Sequence, residues 1–341
     1  MGASSRSGRS SVTIGAHNRR AFAAGLIGAG LCPAFTAARA QDSPAGAFSP
    51  GPIDTNENQL LANLLTRMAT RTELNGRSGS QFVIDTGAGR TAIARDLAET
   101  LRLPAGPQVM VHGVTSAEPA PTVHLARLRF GGRRFDDLVC PVFPRALLGA
   151  DGLLGLDVLS RFELAFDLRR RTVKLTPSGS DVVTLSHAFI TPSRLNQLRT
   201  GRAREGRFGQ LILINTRAED VPVQAFVDSG AQYSIGNLAL QRATGPHFAP
   251  GFAPDPIPVF GVTGQTLMAQ PGQIQQLVLA RQRMGPTPLL FADLHAFRVL
   301  DLIDQPALLI GADILYRFSR ISLDYGNSRM TFSGLKRRPT A

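Results

Sequence analysis

Two aspartates in this chain share one local context. Residues 82–89 read FVIDTGAG and residues 225–232 read AFVDSGAQ. In each, an apolar run ends in a carboxylate, followed by a hydroxyl residue, a glycine and an alanine. A carboxylate at the end of a buried strand loses hydration, which raises its pKa, and such a group is rarely buried without a partner. Two of them brought together can share a single proton. One carboxylate can then take a proton from water while the other gives a proton away. A water held between them becomes a nucleophile toward a carbonyl, with no metal and no covalent intermediate. Asp85 and Asp228 are therefore the candidate catalytic pair. Thr86 and Ser229 carry hydroxyls able to bond across to the opposing loop. Gly87 and Gly230 allow a tight turn and a close approach of backbone N–H groups to the carboxylates.

The elements needed to position these residues recur in one order. The aspartates lie 143 residues apart, and each is expected to end the second arm of a hairpin, after turns near Asn75-Gly76 and Asn215-Thr216. TAIARDLAETLRL follows the first, with Ile93, Leu97 and Leu101 spaced as one face of a short helix; SIGNLALQRA is its weaker counterpart. VHGVTS matches VFGVTG, each a strand with a glycine-marked bend. Next come hairpins expected to turn at Gly131-Gly132 and Gly285-Pro286. Finally LLGLDVLSRFELAFD lies over LIGADILYRFSRISLD. Asp157 and Asp313, which start the DVLSRF and DILYRF stretches, read as helix caps. Asp167 and Asp324 read as strand ends facing Arg161 and Arg317. The chain divides into lobes at 63–177 and 207–335, a surface connection at 178–206, with a possible joining strand at 182–185, and a basic tail at 336–341.

The paired motifs resemble the aspartic peptidases, the clan of retroviral proteases and pepsins. There, an apolar-apolar-Asp-Thr/Ser-Gly motif is followed in the same lobe by an apolar-apolar-Gly motif, here Leu153-Leu154-Gly155 and Leu309-Ile310-Gly311. Both parts occur twice, across most of residues 66–335. The Asp-Thr-Gly-Ala form and short lobes are more similar to retropepsin-like bacterial proteins than to large pepsins. The resemblance implies an all-β bilobal fold with short helices, two pseudo-symmetric barrel-like lobes, and a cleft between them. It implies a dyad of Asp85 and Asp228 braced by Thr86 and Ser229, no cofactor, and a peptide or protein substrate. It also implies flap-like coverings around His112-Gly113 and Phe260-Gly261. No tyrosine matches the pepsin flap position, because Tyr233, Tyr316 and Tyr325 all lie in the second half. Ala88 and Ala231 stand where pepsin-like relatives carry a hydroxyl, so activity is expected toward mild acid or neutrality. The same fold would also serve a non-catalytic peptide- or protein-binding module of the cell envelope. Equivalent lobes can pair from two chains, but two unlike lobes on a connection of about thirty residues, long for a loop, favour pairing within one chain and a monomer.

Composition narrows the remaining classes. Hydrophobic residues make up 43% and charged residues 18%, the balance of a packed globular protein, and 34 glycines with 23 prolines suit a loop-rich β protein. The formal charge of +12 comes from arginine, since only Lys174 and Lys336 among 37 basic residues are lysine. Five arginines between Arg194 and Arg207 lack the interleaved aromatics of a nucleic-acid surface, so no nucleic-acid partner is expected. Residues 1–40 read as a removable export signal, with Asn18-Arg19-Arg20-Ala21-Phe22 of twin-arginine type, or alternatively an ordinary secretory signal, and an exit at Ala38-Arg39-Ala40. Its apolar stretch is short for a membrane span. Cleavage there would remove five arginines and no acids, taking +12 to +7, and would leave residues 41–62 as a linker or pro-segment and Cys140 as a lone buried thiol. Such a protein would be periplasmic or secreted. His112, His124, His187, His247 and His295 show no zinc-type spacing, and no metal site is expected.

Overall fold

The computed structural model describes residues 57–59, 61–62, 67–178, 211–245, 254–327 and 329–336. The export signal at 1–40, most of the 41–62 segment, the connection from 179 to 206 with its suggested strand at 182–185, His187, His247 and the tail after 336 lie outside the described residues.

The sequence alternates in the way a half-buried strand must. FELAFD at 162–167 and TVKLTP at 172–177 bury every second residue, so one face of each enters the core. Where a strand is covered on both sides the alternation disappears. Phe82, Val83 and Ile84, the last residues before the first aspartate, are all fully buried, as are Ala307 to Ile310. These continuous apolar runs form the centres of two similar sheets.

In the first lobe, strands 68–74 and 77–84 form a hairpin around Asn75-Gly76. Strand 152–154 lies parallel to the second arm, pairing Phe82 with Gly152 and Ile84 with Leu154, and strand 92–94 lies antiparallel on its other side. In the second lobe, strands 213–218 and 221–227 form the hairpin, strand 307–310 runs parallel to its second arm, and 235–236 pairs antiparallel beyond. The sheets have eight and nine strands. A third sheet of five strands takes members from both halves: 162–167 pairs antiparallel with 320–324, and 57–59, 172–177 and 329–333 complete it. The all-β bilobal architecture is therefore realised, and the described helices have only four to seven residues. None of the described helices is long and apolar enough to cross a membrane.

Several local expectations change. The hairpin 117–130/133–143 does turn at Gly131-Gly132, both with positive φ (62° and 69°), the twist such a two-residue turn requires. Its counterpart turns at Ala280-Arg281, also at positive φ, instead of Gly285-Pro286. Asn215 sits within a strand, and the second aspartate hairpin turns at Glu219-Asp220. Ile93 belongs to strand 92–94, so the first helix begins only at Arg95; burial of Ile93 between strands outweighs the helical spacing. The counterpart helix, 238–244, is better made: Asn237 caps it by accepting from the Leu240 N–H at 2.8 Å. Asp167 and Asp324 do end strands, but their ion pairs are with Arg320 and Arg329, not Arg161 and Arg317.

The shared sheet joins the two halves. Phe166, 2% exposed, pairs with Val173 on one side and Ile321 on the other. Phe166→Ala is expected to lower the unfolding free energy by about 3–5 kcal/mol, through lost burial and a cavity at the joint, in a single denaturant transition. Two separated transitions would show that the halves unfold independently.

Candidate active site

Each aspartate is fixed by the strand that carries it and by the parallel strand beside it. The Asp85 N–H donates to the Leu154 carbonyl at 3.0 Å, and the Asp228 N–H donates to the Ile310 carbonyl at 3.0 Å. The chain then turns sharply. One oxygen of Asp85 accepts from the N–H groups of Gly87 (3.0 Å) and Ala88 (2.9 Å). One oxygen of Asp228 accepts from Gly230 (2.9 Å) and Ala231 (3.1 Å). The glycine of each motif serves the opposite aspartate. A Cβ added to Gly87 would lie 2.5 Å from Cγ of Asp228, and one added to Gly230 would overlap the carboxyl of Asp85. Only glycine lets each loop pass so close to the other loop's acid.

The hydroxyl residues lock the loops together. The Thr86 hydroxyl donates to the Val227 carbonyl at 3.0 Å and accepts from the Ser229 N–H at 3.0 Å. The Ser229 hydroxyl donates to the Ile84 carbonyl at 2.6 Å and accepts from the Thr86 N–H at 3.2 Å. Both side chains are fully buried. The four bonds form a nearly two-fold arrangement in which each lobe satisfies polar groups of the other.

A second layer holds the loops from behind. Gly155 and Gly311 pack against the backbone of Arg90 and Tyr233, where an added Cβ would collide. Their N–H groups donate to the hydroxyls of Thr91 (3.1 Å) and Ser234 (2.9 Å). Those hydroxyls donate in turn to Asp157 at 2.8 Å and Asp313 at 2.6 Å. Gly155 and Gly311 occupy the helix N-cap positions, so the two aspartates are not caps in the expected sense. Each sits inside the first turn and ties the helix to the loop after the dyad. Thr91 and Ser234 escaped the sequence reading although both lie six residues after an aspartate. The phenol of Tyr325 also comes within hydrogen-bond reach of Thr86, and burial holds it neutral.

The electrostatics follow from burial. Asp85 and Asp228 are 8% and 5% exposed. Desolvation raises both above the ordinary carboxyl range; Asp228, next to the charge of Asp85, is pushed up to about 8. The two carboxyls act on each other across the interface, and the charge of Asp85 favours the protonated form of Asp228. Arg67 is a further component that the sequence concealed. It is 5% exposed, its Nη1 donates to the Gly230 carbonyl at 3.2 Å, and its Nη2 donates to the Leu148 carbonyl.

The residues expected to form flaps lie at two hairpin tips that touch. Hairpin 105–112/117–130 carries His112 and Gly113, and hairpin 257–260/266–274 carries Phe260 and Gly261. The Ser116 and Thr263 hydroxyls are 2.8 Å apart, and the Thr115 hydroxyl donates to the Gln265 carbonyl at 3.2 Å. His112 stacks on His295, with Nδ1 and Nε2 3.1 Å apart. Val111 and Val262 pack, like Ala88, against one apolar cluster of the first lobe that includes Val83 and Leu153, whereas Phe260 stays 69% exposed. Among the described residues no cluster of three or more metal-ligating side chains occurs. Cys140 is fully buried, and desolvation raises its thiol pKa.

The bracing can be tested directly. Thr86→Val keeps the shape but leaves the Ser229 N–H buried without an acceptor. It should reduce the unfolding free energy, read by denaturant titration, by about 1–3 kcal/mol. A loss near zero would mean that the lobes do not depend on this exchange.

Comparison with known proteins agrees with this geometry. Residues 70–158 match the family model described as aspartyl protease. No curated protein matches. A crystal structure of a retropepsin-like aspartic protease from Rickettsia conorii is similar at 21% identity, covering 35% of this chain and 88% of that one, with a TM-score of 0.25, too low to argue from. The family match spans the first aspartate motif and its downstream glycine, and the second lobe repeats both around a facing carboxylate.

Proposed function

We propose that this protein is an exported endopeptidase that hydrolyses peptide bonds with a water activated between Asp85 and Asp228. The observation that carries the reading is the facing of two buried carboxyls, each held by a matching pair of backbone N–H donors. The ionised carboxylate takes a proton from water as its oxygen bonds to the peptide carbonyl carbon. The protonated acid gives its hydrogen to the carbonyl oxygen, forming a neutral tetrahedral diol. Collapse restores the carbonyl, breaks the C–N bond and passes a proton to the departing amine. The products are one carboxylic acid and one amine, and the dyad again holds one proton. Thr86, Gly87, Ser229 and Gly230 set the spacing that lets one water reach both acids. The hairpin tips around His112-Gly113 and Phe260-Gly261 supply the covering over a bound peptide. Lobe pairing within one chain makes a monomer sufficient. Export to the periplasm or medium rests on the signal-like residues 1–40.

A peptide-library digest across a wide pH range tests this reading. Wild type should cleave internal peptide bonds, and Asp85→Ala and Asp228→Ala should each lose at least about 10³-fold in kcat/KM. Cleavage retained by either variant would reject the dyad. Peptide binding without turnover would assign the cleft to a non-catalytic binding module.

The pH behaviour has a definite sign. Burial raises Asp228 to about 8, so the dyad keeps its shared proton through neutrality and loses its general acid above that value. Cleavage should fall as pH rises through about 8. Stability should behave consistently. Asp228 in the unfolded chain ionises near 3.8, so between 3.8 and about 8 the folded state binds the extra proton, and unfolding free energy declines as pH rises across that window. Asp228→Asn should flatten this part of the denaturation-midpoint profile.

A further inference from the structure

The dyad motif explains two acids but not the cation buried beside them. Arg67 lies just before strand 68–74, outside both repeated motifs. Its side chain crosses from the first lobe to the second, donating to the carbonyls of Leu148 and Gly230. Gly230 is the residue whose Cα rests against the carboxyl of Asp85. Gly230 also donates its N–H to Asp228, so the guanidinium lies against a loop that touches both acids, and its charge acts on both, with Asp85 the stronger partner.

Placing a guanidinium here opposes ordinary solvation. Desolvation lowers the Arg67 pKa, yet arginine remains a cation in a protein interior. A buried cation needs an anion nearby. A dyad with one proton supplies a single negative charge and makes the three-residue cluster neutral. A doubly protonated dyad would leave the cation uncompensated, and a fully ionised dyad would leave one excess anion. Among the described residues, the other titratable group whose charge state couples to both acids is Tyr325, which burial keeps neutral.

We propose that Arg67 is the counter-ion of the dyad: held by the Gly230 and Leu148 carbonyls, it keeps the pair singly ionised and places the negative charge on Asp85, leaving Asp228 as the acid. Arg67 is a positioning residue for charge, acting through the carboxyls and not on substrate. The second half has no equivalent on the Asp228 side among the residues acting on that acid. Two acids in nearly equal backbone settings therefore take unequal roles. This inference rests on the proposed dyad chemistry for its meaning, but the charge distribution can be measured without turnover.

The experiment uses the full chain labelled with [13Cγ]aspartate, with Asp85→Asn and Asp228→Asn to assign the two signals, and follows carboxyl titration by NMR. In Arg67→Gln, which can still donate a hydrogen bond but carries no charge, the lower titration midpoint should move to higher pH by about one unit. The acid limb of kcat/KM should move with it. Arg67→Lys, which keeps the charge, should hold the wild-type midpoint. An unmoved midpoint in Arg67→Gln, or an equal movement in Arg67→Lys, would overturn the proposal and leave Arg67 a structural strut. If wild type cleaves no peptide, the hydrolytic reading fails while the carboxyl titration still decides the role of Arg67. Should Arg67→Gln not fold, stability of the aspartate variants at pH 6 decides. Asp85→Asn leaves the guanidinium only its weaker partner, Asp228, and should destabilise more than Asp228→Asn; equal or reversed losses would overturn the proposal.

Discussion

Two like charges share one buried position in this molecule, and nearly everything around them offsets that cost. A pair of carboxyls removed from water cannot both ionise without strong penalty. The structure supplies four backbone N–H donors and one buried guanidinium. Each donor lies on a tight turn, each turn needs glycine against the opposite acid, and each turn is braced by a hydroxyl from the other lobe. The loop carrying each aspartate is completed only by the other lobe, whose hydroxyl braces it.

This mutual dependence accounts for the layering behind the site. The parallel strands 152–154 and 307–310 fix the aspartate backbone, and the glycines after them bring a hydroxyl and a buried carboxylate into the second layer. Asp157 and Asp313, also raised by desolvation, therefore have a structural explanation in their bonds to Thr91 and Ser234. The two buried carboxylate pairs are distinguished by their partners. Those of the dyad face each other, whereas those of the second layer are each satisfied inside one lobe.

Much of this was legible in the residues. The repeated Asp-hydroxyl-Gly-Ala motif with its downstream apolar-apolar-Gly revealed the two lobes and their all-β class, because strand ends and tight turns constrain residue type strongly. Turn positions were less legible. Ala280-Arg281 makes a positive-φ turn without glycine, while the nearby Gly285-Pro286 carries the stronger local signal. Ile93 shows the limit of periodicity: it fits a helical face at four-residue spacing but is claimed by neighbouring strands. Arg67 was illegible for a different reason. In a chain whose basic residues are nearly all arginine, composition gives no means of separating the one buried beside the dyad from those on the surface.

The sheet that both halves build closes an edge in each of them. Strand 162–167 meets 320–324 antiparallel, and these strands come from corresponding places in the repeat. An isolated half would end in a bare row of unpaired N–H and C=O groups, and a bare edge is a template for another strand of the same kind. Antiparallel pairing of equivalent strands is also what a two-fold axis generates. Carried on one chain, each half covers the other's edge at this joint, so neither strand there is left as such a template.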